Sequence, residues 1–281
     1  GEQGKMWVVL MLLLLSLPNL IRGEENFPTC GDCWCVPGNN GIDSCPFSEK
    51  PQTEFSNETV AAYLGQVALN AYTLNCNPYK SSTCETSPAQ VFLDVETAVC
   101  GFVYPSTPEE SPCSSYYLQT FPTREDASAA GAFVTHEGSC GLCSTTIDLA
   151  VYLTQDFTSA GKKCATKGLL NETEGFLCYQ SLGLTPECAK IWNYDGIYDG
   201  KACAVDCMGS VTAPNNGPAP ACELNECLQC DEEKAGPIFS SYGGRTRRRS
   251  GLLSEIVRSC DSIARNISHI PCSSERPRSS K

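Results

Sequence analysis

The apolar residues of the chain fall into short periodic stretches separated by turn-forming runs. Val60, Tyr63, Leu64, Val67, Ala68, Ala71 and Tyr72 recur at helical spacing and predict a helix over 56–74, with Ser56 or Asn57 as its cap. Ile147, Leu149, Ala150, Val151 and Leu153 predict a second helix over 144–154, capped by Ser144. Two shorter helices are expected over 173–181, ended by Gly183, and over 185–193, where Thr185 caps and Pro186 occupies the first turn. Cys178 and Cys188 sit on this pair and could tie it together. The most periodic face comes last: Leu252, Leu253, Ile256, Val257, Cys260, Ile263, Ala264 and Ile267 predict an amphipathic C-terminal helix. Strand signal is sparse. Val91, Leu93 and Val95 alternate, and 127–134 reads as a small-residue helix or a buried approach to the cysteine motif at 140–143. Between 76 and 115, Pro78, Pro88, Pro105, Pro108 and Pro112 predict turns bridged by cysteines.

The run Trp7 to Ile21 is apolar except at Ser16, Pro18 and Asn19. At about 15 residues it is too short to span a bilayer, and it suits the core of a signal peptide over 1–23. Met6 is the expected start, which places 1–5 upstream of it, and no other stretch is long enough for a membrane span. All 20 cysteines come after this run, beginning with Cys30, Cys33, Cys35 and Cys45. An even count on an oxidising route predicts disulfides, each contributing ~2–4 kcal/mol. Zinc is disfavoured, since only His136 and His269 could supply imidazole; no metal or cofactor is expected. Sequons at Asn57, Asn171 and Asn266 fit a secreted glycoprotein. The expected class is therefore a mainly α, disulfide-rich extracellular fold with short irregular or β segments. The Pro-rich stretch 211–221 reads as a linker between an ectodomain over 24–210 and a Cys-containing region over 222–281 that carries a basic loop and the last helix.

Charge is divided along the chain. Residues 24–233 hold 8 Lys and Arg against 28 Asp and Glu, whereas 234–281 hold 10 against 3, so the net charge of −12 conceals an acidic body and a basic end. Within that end Arg245, Arg247, Arg248 and Arg249 predict an exposed cationic loop. It could meet an anionic polysaccharide or an acidic protein surface, serve as a convertase processing site, or pair with Asp231, Glu232 and Glu233. No nucleic-acid partner is expected.

The sharpest local motif is Cys140-Gly141-Leu142-Cys143, placed immediately before a predicted helix. A thiolate at a helix N-terminus is stabilised by unpaired N–H groups, and a second cysteine three residues away can resolve a mixed disulfide. The motif resembles that of thioredoxin-type oxidoreductases, which would make Cys140 and Cys143 redox-active with His136 nearby. The wider segment 138–143 also resembles the nucleophile segment of papain-like proteases, which implies Cys143 as nucleophile and His269 as base. Glu137 stands where that family has an oxyanion-stabilising Gln, and no Asn comes after His269. The alternative is structural bridging, since Cys30/Cys33 and Cys227/Cys230 repeat the spacing. Asp195 and Asp199, between aromatic residues and glycines, read as a β-turn or, less readily, a calcium turn. Taken together the residues predict a secreted or surface-associated Cys-rich glycoprotein with a binding or scaffolding role. The rival is a secreted thiol oxidoreductase.

Overall fold

A computed structural model describes residues 55–94, 96–105, 113–210, 213–218, 221–252, 254–258, 262–267 and 269–272. The signal peptide expected over 1–23 and the cysteines at 30, 33, 35 and 45 lie outside the described residues.

The first helix, α1 (Asn57–Leu64), is capped by Ser56, whose hydroxyl accepts from Thr59 N–H, and it stops at Gly65 rather than at 74. Beyond Gly65 the apolar series becomes two short strands, β1 (Val67–Ala68) and β2 (Thr73–Leu74). The helical spacing there is coincidental, because Val67 N–H and Leu69 N–H bond to the backbone of Ser114 and Tyr116 instead of continuing the helix. β2 pairs antiparallel with β3 (Thr86–Ser87), and the loop between them is closed by Cys76–Cys84. Residues 91–94, expected as a strand, form no regular element.

β4 (Val99–Val103), β5 (Ser115–Phe121) and β6 (Phe133–Glu137) complete a four-stranded sheet in the order β1-β5-β4-β6. β1 runs parallel to β5, and the other pairs are antiparallel. Alternation divides its faces. Cys100, Phe102, Tyr116 and Leu118 enter the main core, while Val99 and Phe121 meet Ala127 of α2 (Arg124–Ala129) on the opposite side.

Against the sheet lies a larger helical layer. α3 (Thr146–Thr154) is capped by Thr145, not Ser144. α4 (Phe157–Leu170), α5 (Glu172–Ser181) and α6 (Pro186–Ala202) pack on one another. α6 starts at Pro186 with Thr185 as cap, as expected, but runs through Asp195-Gly196 and Asp199-Gly200, so the turn predicted there is helix. The fully buried Asp148 joins two helix starts: its carboxylate accepts from Thr145 Oγ1 at 2.6 Å and from Thr185 N–H at 2.8 Å. α7 (Ala204–Ser210) and α8 (Glu226–Lys234) pack as a pair stapled by Cys203–Cys230 and Cys207–Cys227, and α9 (Gly236–Tyr242) comes next.

One expectation for the C-terminal third is corrected. The described residues of 252–267 form no α-helix. Their periodic side chains Leu252, Val257, Ile263, Ala264 and Ile267 are nevertheless buried, from an irregular backbone that takes positive φ at Gly251 and Asn266. Within 211–221 Asn216 is buried, and its Nδ2 donates to the Cys222 and Val257 carbonyls. Helix accounts for 45% and strand for 13% of the fold, so "mainly α" holds only loosely.

Seven disulfides lie among the described residues. They fit an oxidising extracellular compartment. Cys178 pairs with Cys164, not within the α5–α6 pair, and Cys188 pairs with Cys143. Non-reducing peptide mass mapping should therefore recover Cys100–Cys140 and Cys143–Cys188. A Cys140–Cys143 peptide would overturn this arrangement.

Candidate functional site

The Cys140-Gly141-Leu142-Cys143 segment is a structural junction. Cys140 bonds to Cys100 of β4 and Cys143 to Cys188 of α6, and all four cysteines are buried, so neither the redox nor the protease reading of this motif survives. Leu142 N–H and Cys143 N–H each donate at 2.9 Å to the carbonyls of Tyr242 and Gly243. Gly141 is required by this crossing, since a Cβ there would lie 2.8 Å from Gly243 C and Gly244 N. His136 and Ser144 are also fully buried. Glu137 carbonyl can only accept, so His136 Nδ1 carries the proton at 2.9 Å and Nε2 accepts from Ser144 Oγ at 2.7 Å. Burial and the neighbouring Arg245 hold this imidazole neutral, with a pKa well below the usual value. The pair has the reach of a base and nucleophile but no access to substrate. His269 is buried too, bonded through Nε2 to the carbonyl of Ser250, and burial, with Arg245 nearby, lowers its pKa to about 4.

Arg245 corrects the exposed-loop expectation most sharply. It is 0% exposed, and its five N–H groups meet Cys143 O, Thr135 O, Ser250 Oγ, Thr135 Oγ1 and Ser144 O at 2.6–3.2 Å. Burial lowers its pKa to about 10, which leaves it charged. The next arginines are half-buried and engaged. Arg247 donates to Tyr152 and Gln155 carbonyls and faces Asp156 at 3.6 Å. Arg248 pairs with Glu232 at 2.8 Å, and Arg249 donates to Ser240 carbonyl. The expected pairing with the 231–233 acids holds at Glu232. The sequon residues Asn57, Asn171 and Asn266 are all exposed. Asn171 Oδ1 caps α5 by accepting from Thr173 N–H, which leaves its Nδ2 for a glycan.

What the sequence did not single out is a cavity of about 280 Å³ on the helical side. Phe157, Gly161 and Ala165 face it from α4 at helical spacing, and Trp192, Asp195, Gly196 and Asp199 from α6. α8 adds Leu228, Asp231 and Glu232, α9 adds Phe239, and the described residues of 246–263 close it with Arg247, Arg248, Val257 and Arg258 among others. α4 and α6 approach so closely that a Cβ at Gly196 would lie 2.7 Å from Ala165 Cβ. The floor is aromatic: Trp192 stacks with Phe157 and Tyr179 at centroid distances of 5.3 and 6.0 Å, and meets Phe239 at 4.5 Å. Trp192 Nε1 donates to Tyr152 Oη at 3.0 Å, which fixes the indole.

Carboxylates interrupt this floor. Tyr79, from the β2–β3 loop, donates to Asp195 Oδ1 at 2.7 Å. Asp199 Oδ1 is buried with no hydrogen-bond partner. Burial, with Asp199 and Glu232 nearby, raises the Asp195 pKa; burial, with Asp195, Asp199 and Glu232, raises that of Asp231 against the opposing pull of Arg258. Burial also lifts Asp199 to about 6, Lys234 acting against it. Asp195 and Asp199 are like charges at i and i+4 on one helix face, an arrangement that weakens a helix. Among the described residues the only close group of three potential metal ligands is Cys203, Asp206 and Cys230, two of which are spent on a disulfide.

Residues 172–266 match the family described as "Family of unknown function (DUF8771)". That stretch supplies the α6, α8, α9 and C-terminal walls of the cavity but not the α4 wall. No curated protein and no solved structure matches the chain.

Two variants test this geometry. Arg245→Ala should cost more than about 3 kcal/mol in urea unfolding, because it strands five buried acceptors, and Arg245→Lys should recover little. A loss under about 1 kcal/mol would show that the hub is dispensable. Asp231 gives a pH test. A carboxyl whose folded pKa is raised binds more protons folded than unfolded, so its contribution to stability falls as pH rises from the ordinary carboxylate range through the folded pKa. The melting temperature of Asp231→Asn relative to the parent should therefore be near zero at pH 4 and positive at pH 8; an unchanged or negative difference at pH 8 would contradict it.

Proposed function

We propose that the protein is an extracellular, disulfide-stapled binding protein whose ligand site is the cavity between α4, α6, α8, α9 and the segment 246–263. The observation that carries this reading is the cavity itself, about 280 Å³ with an aromatic floor and a few convergent polar groups. Small-molecule sites have that character, at volumes of roughly 300–1,000 Å³. The disulfide framework supports the extracellular setting, and no helix among the described residues is long and apolar enough to cross a membrane.

An unpaired carboxylate beside apolar rings stabilises nothing in the empty protein. Asp195, Asp199 and Asp231, which form no ion pair among the described residues, fit a trade of stability for binding at one opening. Contact with an anionic polysaccharide or an acidic protein surface would have to use Arg248 and Arg249, whose side chains already bond Glu232 and Ser240. The cavity is the better-supported site.

Gly161 provides the test. A Cβ there would have Phe157 Cβ at 3.9 Å as its one close neighbour, so a larger side chain can grow into the opening. The neutral fluorophore N-phenyl-1-naphthylamine should gain emission on binding the full chain, and Gly161→Leu should weaken that binding roughly tenfold or more, equivalent to about 1.4 kcal/mol. Equal binding by parent and variant, with unchanged circular dichroism, would sink the reading.

A further inference from the structure

The cavity walls are not electrically balanced. Four cations line it, and three are committed: Arg247 faces Asp156 at 3.6 Å, and Arg248 and Arg258 share Glu232 at 2.8 and 2.5 Å. The fourth, Lys162, points to Asn215 Oδ1 at 3.4 Å. Among the carboxylates Asp156 and Glu232 are thereby occupied. Asp195, Asp199 and Asp231 have no ion pair among the described residues. Asp195 has one hydroxyl donor, from Tyr79, and Asp199 keeps a buried oxygen with no donor at all.

We infer that the cavity takes an organic cation, an ammonium group carried on an aromatic or alkyl body, with Asp195, Asp199 and Asp231 as its counter-charge and the Trp192 cluster as its apolar wall. This inference rests on the cavity being a ligand site. Three competing occupants fit less well. A bare divalent ion needs convergent oxygens, whereas Asp195, Asp199 and Asp231 do not draw together as a metal-ligand group. An anion would meet three uncompensated carboxylates and arginines already paired. A neutral apolar ligand would exclude water from the same carboxylates and leave them unpaired, which is costly. An ammonium supplies the donors that the Asp199 oxygen lacks, and it is attracted to the faces of Trp and Tyr rings. Binding the cation also favours the ionised carboxylates, so its affinity should rise with pH. The charged and titratable groups bearing on Asp195 and Asp231 are each other, Asp199 and Glu232, with Tyr79 from the β2–β3 loop and Arg258 from the C-terminal segment; Lys234 acts on Asp199.

The test uses the full chain and three probes with one body: 4-phenylbutylamine, 4-phenylbutan-1-ol and 4-phenylbutyrate, each competing with N-phenyl-1-naphthylamine. The amine should displace the fluorophore at least roughly tenfold more tightly than the alcohol, with the carboxylate weakest. Asp231→Asn should remove most of that preference while leaving the alcohol's affinity in place, and Asp199→Asn provides the same reading should the first variant fold poorly. The amine's advantage should shrink from pH 8 to pH 5. Equal displacement by amine and alcohol would overturn the cation inference and leave the cavity reading standing. Strongest displacement by the carboxylate would overturn it in favour of the arginines. Failure of the parent chain to bind both the neutral fluorophore and, by direct calorimetry, the amine would remove both.

Discussion

The structure depends on one buried guanidinium. Arg245 lies between the sheet and the helical layer, and its five donors bind β6 through Thr135, the Cys143-Ser144 turn that opens α3, and Ser250. Among the described residues no carboxylate pairs with it directly; backbone carbonyls and hydroxyls carry the solvation that water would otherwise give. Such a charge tolerates no loosening of its acceptors, because each lost bond leaves a buried polar group unmatched. The glycine crossing at 141 and 243–244 and the two disulfides at Cys140 and Cys143 hold those acceptors in place. The CGLC motif and the arginine run, which look like two separate functional signals, are thus two halves of one structural joint.

This joint also sets the position of the cavity. Arg247 stands two residues beyond Arg245 and reaches the carbonyls that end α3, while Arg248 and Arg258 converge on Glu232 of α8. The segment after Arg245 is thereby drawn across the open side of the α4–α6 pair, where it forms the remaining wall. Among the described residues Arg247, Arg248 and Arg258 of the basic end meet Asp156 and Glu232 of the acidic body, and none of them forms an ion pair with the α6 carboxylates.

Part of this was legible in the chain. Local signals with a direct backbone cause held: Ser56 as a cap, and Thr185 with Pro186 at the start of α6. Patterns that depend on packing did not. The apolar spacing at 67–72 and at 252–267 is helical in period, yet the first pairs as strand and the second is buried from an irregular path, since tertiary contacts outweigh periodicity. The glycines at 196 and 200 read as turn residues. In the fold they are the contact surface of a 17-residue helix, at Ala165 and Leu169. α4, with glycines at 161 and 168 and two adjacent lysines, gave no stripe to recognise, and Phe157 of the cavity floor went with it.

The site itself was hidden for a related reason. Asp195 and Asp199 are conspicuous only once 192–202 is known to be helical, because helical spacing places Trp192, Asp195, Gly196 and Asp199 on one face. Asp231 then joins them from α8, whose position is fixed by disulfides that spacing alone cannot assign. Each carboxylate taken alone is an ordinary surface acid. Brought together over aromatic rings, with their protons held more tightly by burial and by one another, they form a region with no ion pair of its own among the described residues. A fold that satisfies all five donors of a buried arginine, yet leaves three carboxylates at one opening without an ion pair among the described residues, concentrates its unmet polar demand where a ligand can reach it.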